Sequence, residues 1–326
     1  MYNNPATQNI FSVPLQTAMN DRRLYRQSPF REIVFSDRLR FRSILPLHGE
    51  DSEDIHKMKQ TTILSEKQLF IFDMDGTIYL GENVFGCAVN FIRRLRKNGK
   101  RILFFTNNAS HVHEFYLKKL GRMGFEPQPD EIMTSGDVTA EFLRRERCGK
   151  KVYLVGTDEL RREFVENGIR LSDGTDGSAD IVVTSFDTSL DYRKLERACT
   201  YVRGGAEYFS THPDLNCPTE NGFIPDSGAV SAFVTAATGA VPVYLGKPYK
   251  PTIDMISAKS GTDLSRMCIF GDRLYTDIAM GKNYGVTACL VLSGETSVRD
   301  VNSAAPESRP DFVFQDLGDA EKQIFG

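Results

Sequence analysis

LFIFDMDGT, residues Leu69 to Thr77, joins four large apolar residues directly to two carboxylates and a glycine. Four residues are too few for a helix, and an aromatic and β-branched run of that length reads as a strand buried on both faces. The same pattern repeats downstream. Ala88, Phe91, Ile92 and Leu95 recur at helical spacing until Gly99 stops the helix, and RILFF, residues 101–105, is the next strand. A second helical stripe, Phe115, Leu117, Leu120 and Met123, ends at Gly124, and IMTS at 132–135 is a short third strand. Further strands are expected at 151–156, 181–186, 207–211, 241–246, 267–271 and 288–292. Strands that alternate with helices predict an α/β fold with parallel sheets over the whole chain beyond residue 67.

In open parallel sheets, ligands bind beyond the carboxyl ends of the strands. Four of the predicted ends carry related chemistry. Asp73-Met74-Asp75-Gly76-Thr77 follows the first strand, Thr106-Asn107-Asn108 follows ILFF, Gly246-Lys247-Pro248 follows VYL, and Gly271-Asp272-Arg273-Leu274-Tyr275-Thr276-Asp277 follows CIF. Carboxylates, one lysine, a hydroxyl, side-chain amides and close-packing glycines suit a phosphate held on a hard cation. Asp73 and Asp272 can supply oxygens to Mg²⁺, which prefers carboxylate, carbonyl and water ligands. Thr106, Asn107 and the Gly76 backbone can donate hydrogen bonds to phosphate oxygens, while Lys247 is a compact charge able to neutralise nucleophile and phosphoryl group together. Phosphate monoesters hydrolyse so slowly unaided that such a site must supply on the order of 20 kcal/mol.

DxDGT, TNN, GKP and GDxxxTD, in this order and at strand ends, resemble the four motifs of the haloacid dehalogenase superfamily. The resemblance implies that Asp73 attacks phosphorus to form an aspartyl-phosphate and that Asp75 is the general acid and base. It also implies that Asp73, Asp272 and the Asp75 backbone carbonyl hold Mg²⁺, and that Asp277 orients Lys247 or a metal-bound water. Asn108 and Arg273 are expected beside Gly76 and Asn107 among the substrate-binding residues. The implied fold is a doubly wound, Rossmann-like parallel-sheet core.

Roughly 30 positions separate Asp73 from Thr106, enough for one crossover, but roughly 140 separate Thr106 from Lys247, about 100 more than another βα unit requires. A second module is therefore expected between them. The predicted division is a poorly structured extension at 1–60, a core at 67–136 and 244–326, and a cap at 137–243. This placement resembles the large α/β (C2-type) cap of the NagD-like or p-nitrophenyl phosphatase family, subclass IIA, over residues 67 to 318. Cap residues THPDLNCPTENGFIPDSG, 211–228, are rich in turn formers and polar side chains. By resemblance they face the substrate, with Asp214 and Asn216 in contact with it. The expected substrates are small phosphorylated metabolites such as sugar phosphates, phosphoglycolate, nucleotides, pyridoxal phosphate and the artificial p-nitrophenyl phosphate.

Bulk properties narrow the alternatives. A formal net charge of −3 over 326 residues gives no field for nucleic acid or an anionic membrane. Six scattered cysteines form no CxxC pair, and no apolar run reaches a membrane span, so a reduced, cytoplasmic protein is expected. Met58 is a candidate natural start. His111 and His113, two apart on a helix start, point away from each other and are not expected to share a metal. Arg144 to Arg147 reads as a solvated helix end, and residues 172–177 as a plain loop. A phosphotransferase, or a non-catalytic binding module of the same fold, remains the rival reading. The absence of GxGxxG after the first strand disfavours a dinucleotide enzyme. Related caps serve as dimer surfaces, which leaves a homodimer open.

Overall fold

The computed structural model describes residues 63–326 apart from Asp176 and Glu220. The expected extension at 1–60 and the start at Met58 lie outside the described residues. The chain forms β1 (Leu69–Phe72), a flap of β2 (Tyr79–Leu80) and β3 (Asn83–Val84), then β4 (Arg101–Thr106) and β5 (Ile132–Thr134). Next come β6 (Lys151–Val155), β7 (Arg170–Leu171), β8 (Ile181–Thr184), β9 (Glu207–Ser210), the hairpin of β10 (Asn216–Thr219) and β11 (Gly222–Pro225), and β12 (Val243–Tyr244). The series ends with β13 (Met267–Gly271), β14 (Thr287–Val291) and β15 (Phe312–Phe314).

A six-stranded parallel sheet runs in the order β15-β14-β13-β1-β4-β5. After β1 the chain winds outward through β4 and β5, and it later returns on the other side of β1 through β13 to β15. The order therefore reverses between β1 and β13, and a crevice opens at the carboxyl end of that pair. Strand β1 is buried throughout and splits by period two. Phe70 and Phe72 enter one apolar cluster, with Phe91, Phe104 and Phe270, while Leu69 and Ile71 enter another, with Leu103, Phe105 and Ile269. The helix Ala88–Lys97 buries Ala88, Phe91, Ile92 and Leu95, the stripe read from sequence, and Phe91 meets Phe72 edge-on with centroids 5.9 Å apart.

The second sheet, also parallel, runs β12-β9-β8-β6-β7 and forms the α/β cap. Two expectations need correction here. The strand expected at 241–246 is only Val243–Tyr244, and it pairs with β9 of the cap. Val241 and Val243 are exposed, whereas Leu245, just past the paired residues, is fully buried in a core cluster, so the run is a strand only where it meets β9. The expected cap limits, 137 and 243, also cut through the helix Ser135–Glu146 and through β12. That helix packs on β5 and on the helix Lys250–Ser260, as the second half of a core βα unit. Limits after Glu146 and after Tyr244 keep both elements whole, and we propose them for the cap. No helix among the described residues is long and apolar enough to cross a membrane.

Candidate active site

The carboxyl ends of β1 and β13 bring Asp73 and Asp272 side by side at the crevice. Asp73, Asp272 and Asp277 each place a carboxylate oxygen within 4.8 Å of the others. Among them stands Lys247, 2% exposed, whose Nζ donates to Asp73 Oδ1 at 2.5 Å and to Asp277 Oδ1 at 2.6 Å. Asp277 reaches the lysine because the turn Leu274–Ile278 is wound wide: the Ile278 amide bonds the Arg273 carbonyl five residues back, at 3.2 Å. Asn107 holds Lys247 from behind. Its Oδ1 accepts from the Lys247 amide at 2.9 Å, and its Nδ2 donates to the Lys247 carbonyl at 3.1 Å. Lys247 thus reaches the core carboxylates from the end of a cap strand.

Three buried carboxylates against one ammonium leave the cluster short of positive charge. Burial pushes the Asp73 carboxyl well above its usual range, with Asp277 and Asp272 adding to the shift against Lys247. Burial and then Asp277 push Asp272 up to about 7. On Lys247 burial works against the charge, but Asp277 and Asp73 outweigh it and hold the ammonium above the lysine range.

A divalent cation fits this imbalance. Asp272 Oδ1 is buried with no hydrogen-bond partner, while its Oδ2 accepts from the Glu295 amide at 2.7 Å. Gly76 (φ +85°) and Gly294 close over the same carboxylate: a Cβ at Gly76 would sit 2.5 Å from Asp272 Oδ2, and one at Gly294 would overlap it. Both glycines let the backbone close on Asp272 and fix its carboxylate through Oδ2, which leaves Oδ1 as the unpartnered oxygen. The loop following β14 adds Ser293, whose hydroxyl donates to the Gly76 carbonyl at 2.8 Å.

A pocket opens above this cluster. Asp73, Asp75, Thr106, Asn107, Asn108, Lys247, Arg273 and Thr276 line it from the core, and Asp214, Cys217, Pro218 and Asp226 from the cap. Asp75, half-buried, accepts a long hydrogen bond of 3.4 Å from Tyr79, and burial raises its carboxyl, the direction that favours the protonated form a general acid needs. Thr106 Oγ1 accepts from the Asn108 amide at 3.1 Å. Arg273, also buried, pairs with Asp214 at 3.2 Å and with Glu295 at 2.9 Å.

The sequence-predicted residues therefore converge, with two corrections. The Gly76 amide, expected to donate to phosphate, donates instead to the Tyr79 carbonyl at 2.8 Å, and Gly76 does not line the pocket. Asn216 is exposed and does not line the pocket. It begins β10, and the next two residues, Cys217 and Pro218, line the pocket in its place. Sequence reading passed over Asp226, which ends β11 and caps the helix Ser227–Thr238 by accepting from the Ser227 amide at 2.5 Å. It also missed Gly294 and Glu295. The signal for Asp226 was available, since it too is a carboxylate at a strand end. His111 is occupied elsewhere: Nδ1 meets Glu159 at 3.0 Å and its ring stacks on Phe115.

Comparison with known proteins agrees with this geometry. A family model for haloacid dehalogenase-like hydrolases matches residues 70–170, and a HAD-hydrolase-like model matches residues 244–320. An acid sugar phosphatase of Staphylococcus aureus is 34% identical over 264 residues, 80% of this chain and 99% of the relative. The crystal structure of a 4-nitrophenylphosphatase from Thermotoga maritima superposes with a TM-score of 0.76 at 40% identity, covering 80% of this chain and 99% of that one. A glycerol phosphate phosphatase from Mycobacterium tuberculosis, crystallised with magnesium, is 30% identical with a TM-score of 0.74, covering 80% and 77%. The strand-end carboxylates, the lysine between them and the inserted cap are thus those of a haloacid dehalogenase-like hydrolase, and the chain belongs to that family's NagD-like phosphatases of subclass IIA.

Proposed function

We propose that this phosphatase hydrolyses monoesters of small polyhydroxy metabolites, sugar or glycerol phosphates among them, with Asp73 as nucleophile and Mg²⁺ as its metal. The observation that carries the reading is the buried cluster of Asp73, Asp272, Asp277 and Lys247 at the sheet's switch point, lacking one cation's worth of charge. Asp73, Asp272 and the Asp75 carbonyl would hold the metal. When bound it supplies charge that keeps Asp73 ionised and polarises a phosphoryl oxygen. Lys247 holds one Asp73 oxygen in place, and Asp277 in turn holds Lys247. Thr106 and Asn108, in the pocket lining, are placed to meet the remaining phosphoryl oxygens.

Attack by Asp73 on phosphorus forms the acyl phosphate as the ester oxygen leaves with the proton of Asp75. Asp75, now ionised, takes a proton from the water that cleaves the acyl phosphate. The cap closes the pocket from above and supplies its leaving-group side. Similarity to the acid sugar and glycerol phosphate phosphatases supports the substrate class. The free state of all six cysteines supports a reducing, cytoplasmic setting.

Phosphate release from sugar phosphates, glycerol phosphate and p-nitrophenyl phosphate, with added Mg²⁺ and after chelation, tests the reading. Release that stops on chelation and resumes with Mg²⁺ is expected. Undiminished release after chelation contradicts the metal assignment, and release from p-nitrophenyl phosphate alone contradicts the substrate class.

A further inference from the structure

Every charged group that the cap contributes to the pocket lining, among the described residues, is a carboxylate: Asp214 and Asp226 stand there with Cys217 and Pro218. Of the two cations in the lining, Lys247 is held by Asp73 and Asp277, and Arg273 from the core is already matched by Asp214 and Glu295. Asp226 is held differently. It is 3% exposed, and its Oδ1 accepts from His212 Nε2 at 2.8 Å and from the Ser227 amide.

His212 is fully buried and fixed in turn, with Nδ1 2.9 Å from Thr211 Oγ1 and 3.2 Å from Ser135 Oγ. The imidazole thus aims the carboxylate without entering the lining itself. No hydrogen bond reaches Asp226 Oδ2 among the described residues, so one oxygen of a rigidly held carboxylate is left for the pocket. Such an oxygen accepts hydrogen bonds from a hydroxyl-bearing leaving group, and its charge repels a leaving group that is itself anionic.

We propose that Asp226, aimed by His212, is a specificity-determining residue that admits phosphate monoesters of neutral polyols and turns away esters whose leaving group carries a carboxylate or a second phosphate. This rests on the phosphatase reading above and narrows it, since phosphoglycolate, a small phosphate ester otherwise suited to the site, falls on the rejected side.

The test compares kcat/KM for glycerol phosphate and for phosphoglycolate, with Mg²⁺, in the wild type and in Asp226→Asn. Asparagine keeps an oxygen for His212 and the Ser227 amide but removes the charge. A ratio of kcat/KM values does not depend on the fraction of folded enzyme. The wild type is expected to favour glycerol phosphate by roughly a hundredfold, and Asp226→Asn to lower that preference by about tenfold or more.

An unchanged ratio in the variant overturns the proposal, as does a wild-type preference for phosphoglycolate, which needs no variant to be seen. Release of p-nitrophenol by the wild type separates the two levels. If it occurs and the ratio fails to move, the selector role falls and the phosphatase stands. If the wild type turns over none of the three esters, the phosphatase reading falls and takes the selector with it.

Discussion

The strand ends of the core and the hairpin of the cap face the same pocket with opposite construction. At the core, Lys247 is 2% exposed and each of its contacts is duplicated: two carboxylates on its ammonium, and one asparagine on both its amide and its carbonyl. In the cap hairpin, Phe223 is 65% exposed, Ile224 40%, and Asn216 is exposed outside the pocket lining. Chemistry common to all phosphate esters needs fixed charges in a dry place, whereas recognition of a variable leaving group needs a surface that can change without unsettling them. Asp226 and His212 sit at the seam, rigid as the core is but placed in the cap.

The comparison breaks most sharply at Asp73. Asp73→Asn is expected to lower kcat for p-nitrophenyl phosphate by at least about a thousandfold with the far-ultraviolet circular dichroism unchanged. Residual turnover within tenfold of wild type would remove Asp73 as nucleophile. Lys247→Met comes next, because it leaves Asp73 and Asp277 buried without their cation. A loss of about 3–5 kcal/mol in denaturant unfolding is expected along with the loss of activity. A variant as stable as wild type would mean that the core cluster is not the tightly coupled unit described here.

Gly294→Ala tests the cradle around Asp272 without touching a charge. The added methyl group overlaps Asp272 Oδ2, and the Mg²⁺ concentration for half activation should rise roughly ten- to hundredfold. An unchanged Mg²⁺ dependence would place the metal elsewhere.

The residues that could be read from sequence share one property, which is that an apolar strand points at them. Asp73, Thr106 and Asp272 each follow a run whose burial is written in its side chains, and the helix stripe from Ala88 to Leu95 needed only its spacing. Gly294 and Glu295 follow β14 just as directly, but glycine and glutamate in a loop carry no chemical signature until Asp272 is seen against them. The strand before Lys247 was found, but read as six residues where two are paired. Two paired residues, Val243 and Tyr244, do not encode which edge they join. Cys217 and Pro218 line the pocket and Asn216 does not, and nothing in NCPT marks which of its residues meet the site.

Two smaller effects separate the cap's stability from the core's chemistry. Glu163, on the cap helix Asp158–Glu166, is pushed up to about 8, first by burial and then by Asp137 and Glu166. Its unfolded value is about 4.3, so between the two values the folded chain keeps a proton that the unfolded chain has released. Stability should therefore fall as pH rises through that window and level off above it. Glu163→Gln should flatten the fall in thermal midpoint between about pH 5 and pH 8; an identical slope in both proteins would show that Glu163 does not titrate there. Phe223→Ser, at the exposed hairpin, should change unfolding stability by less than about 0.5 kcal/mol. A larger loss would mean that the hairpin is packed more firmly than its exposure indicates.

The covalent role of Asp73 is open to direct chemical test. Wild-type enzyme mixed with Mg²⁺ and p-nitrophenyl phosphate can be quenched within one turnover by borohydride, which reduces an acyl phosphate to an alcohol, then digested and weighed by mass spectrometry. The expected result is reduction confined to the peptide that carries Asp73 and absent without substrate. Full product release with that peptide unmodified, or with the change on Asp75 or Asp272, would contradict the mechanism.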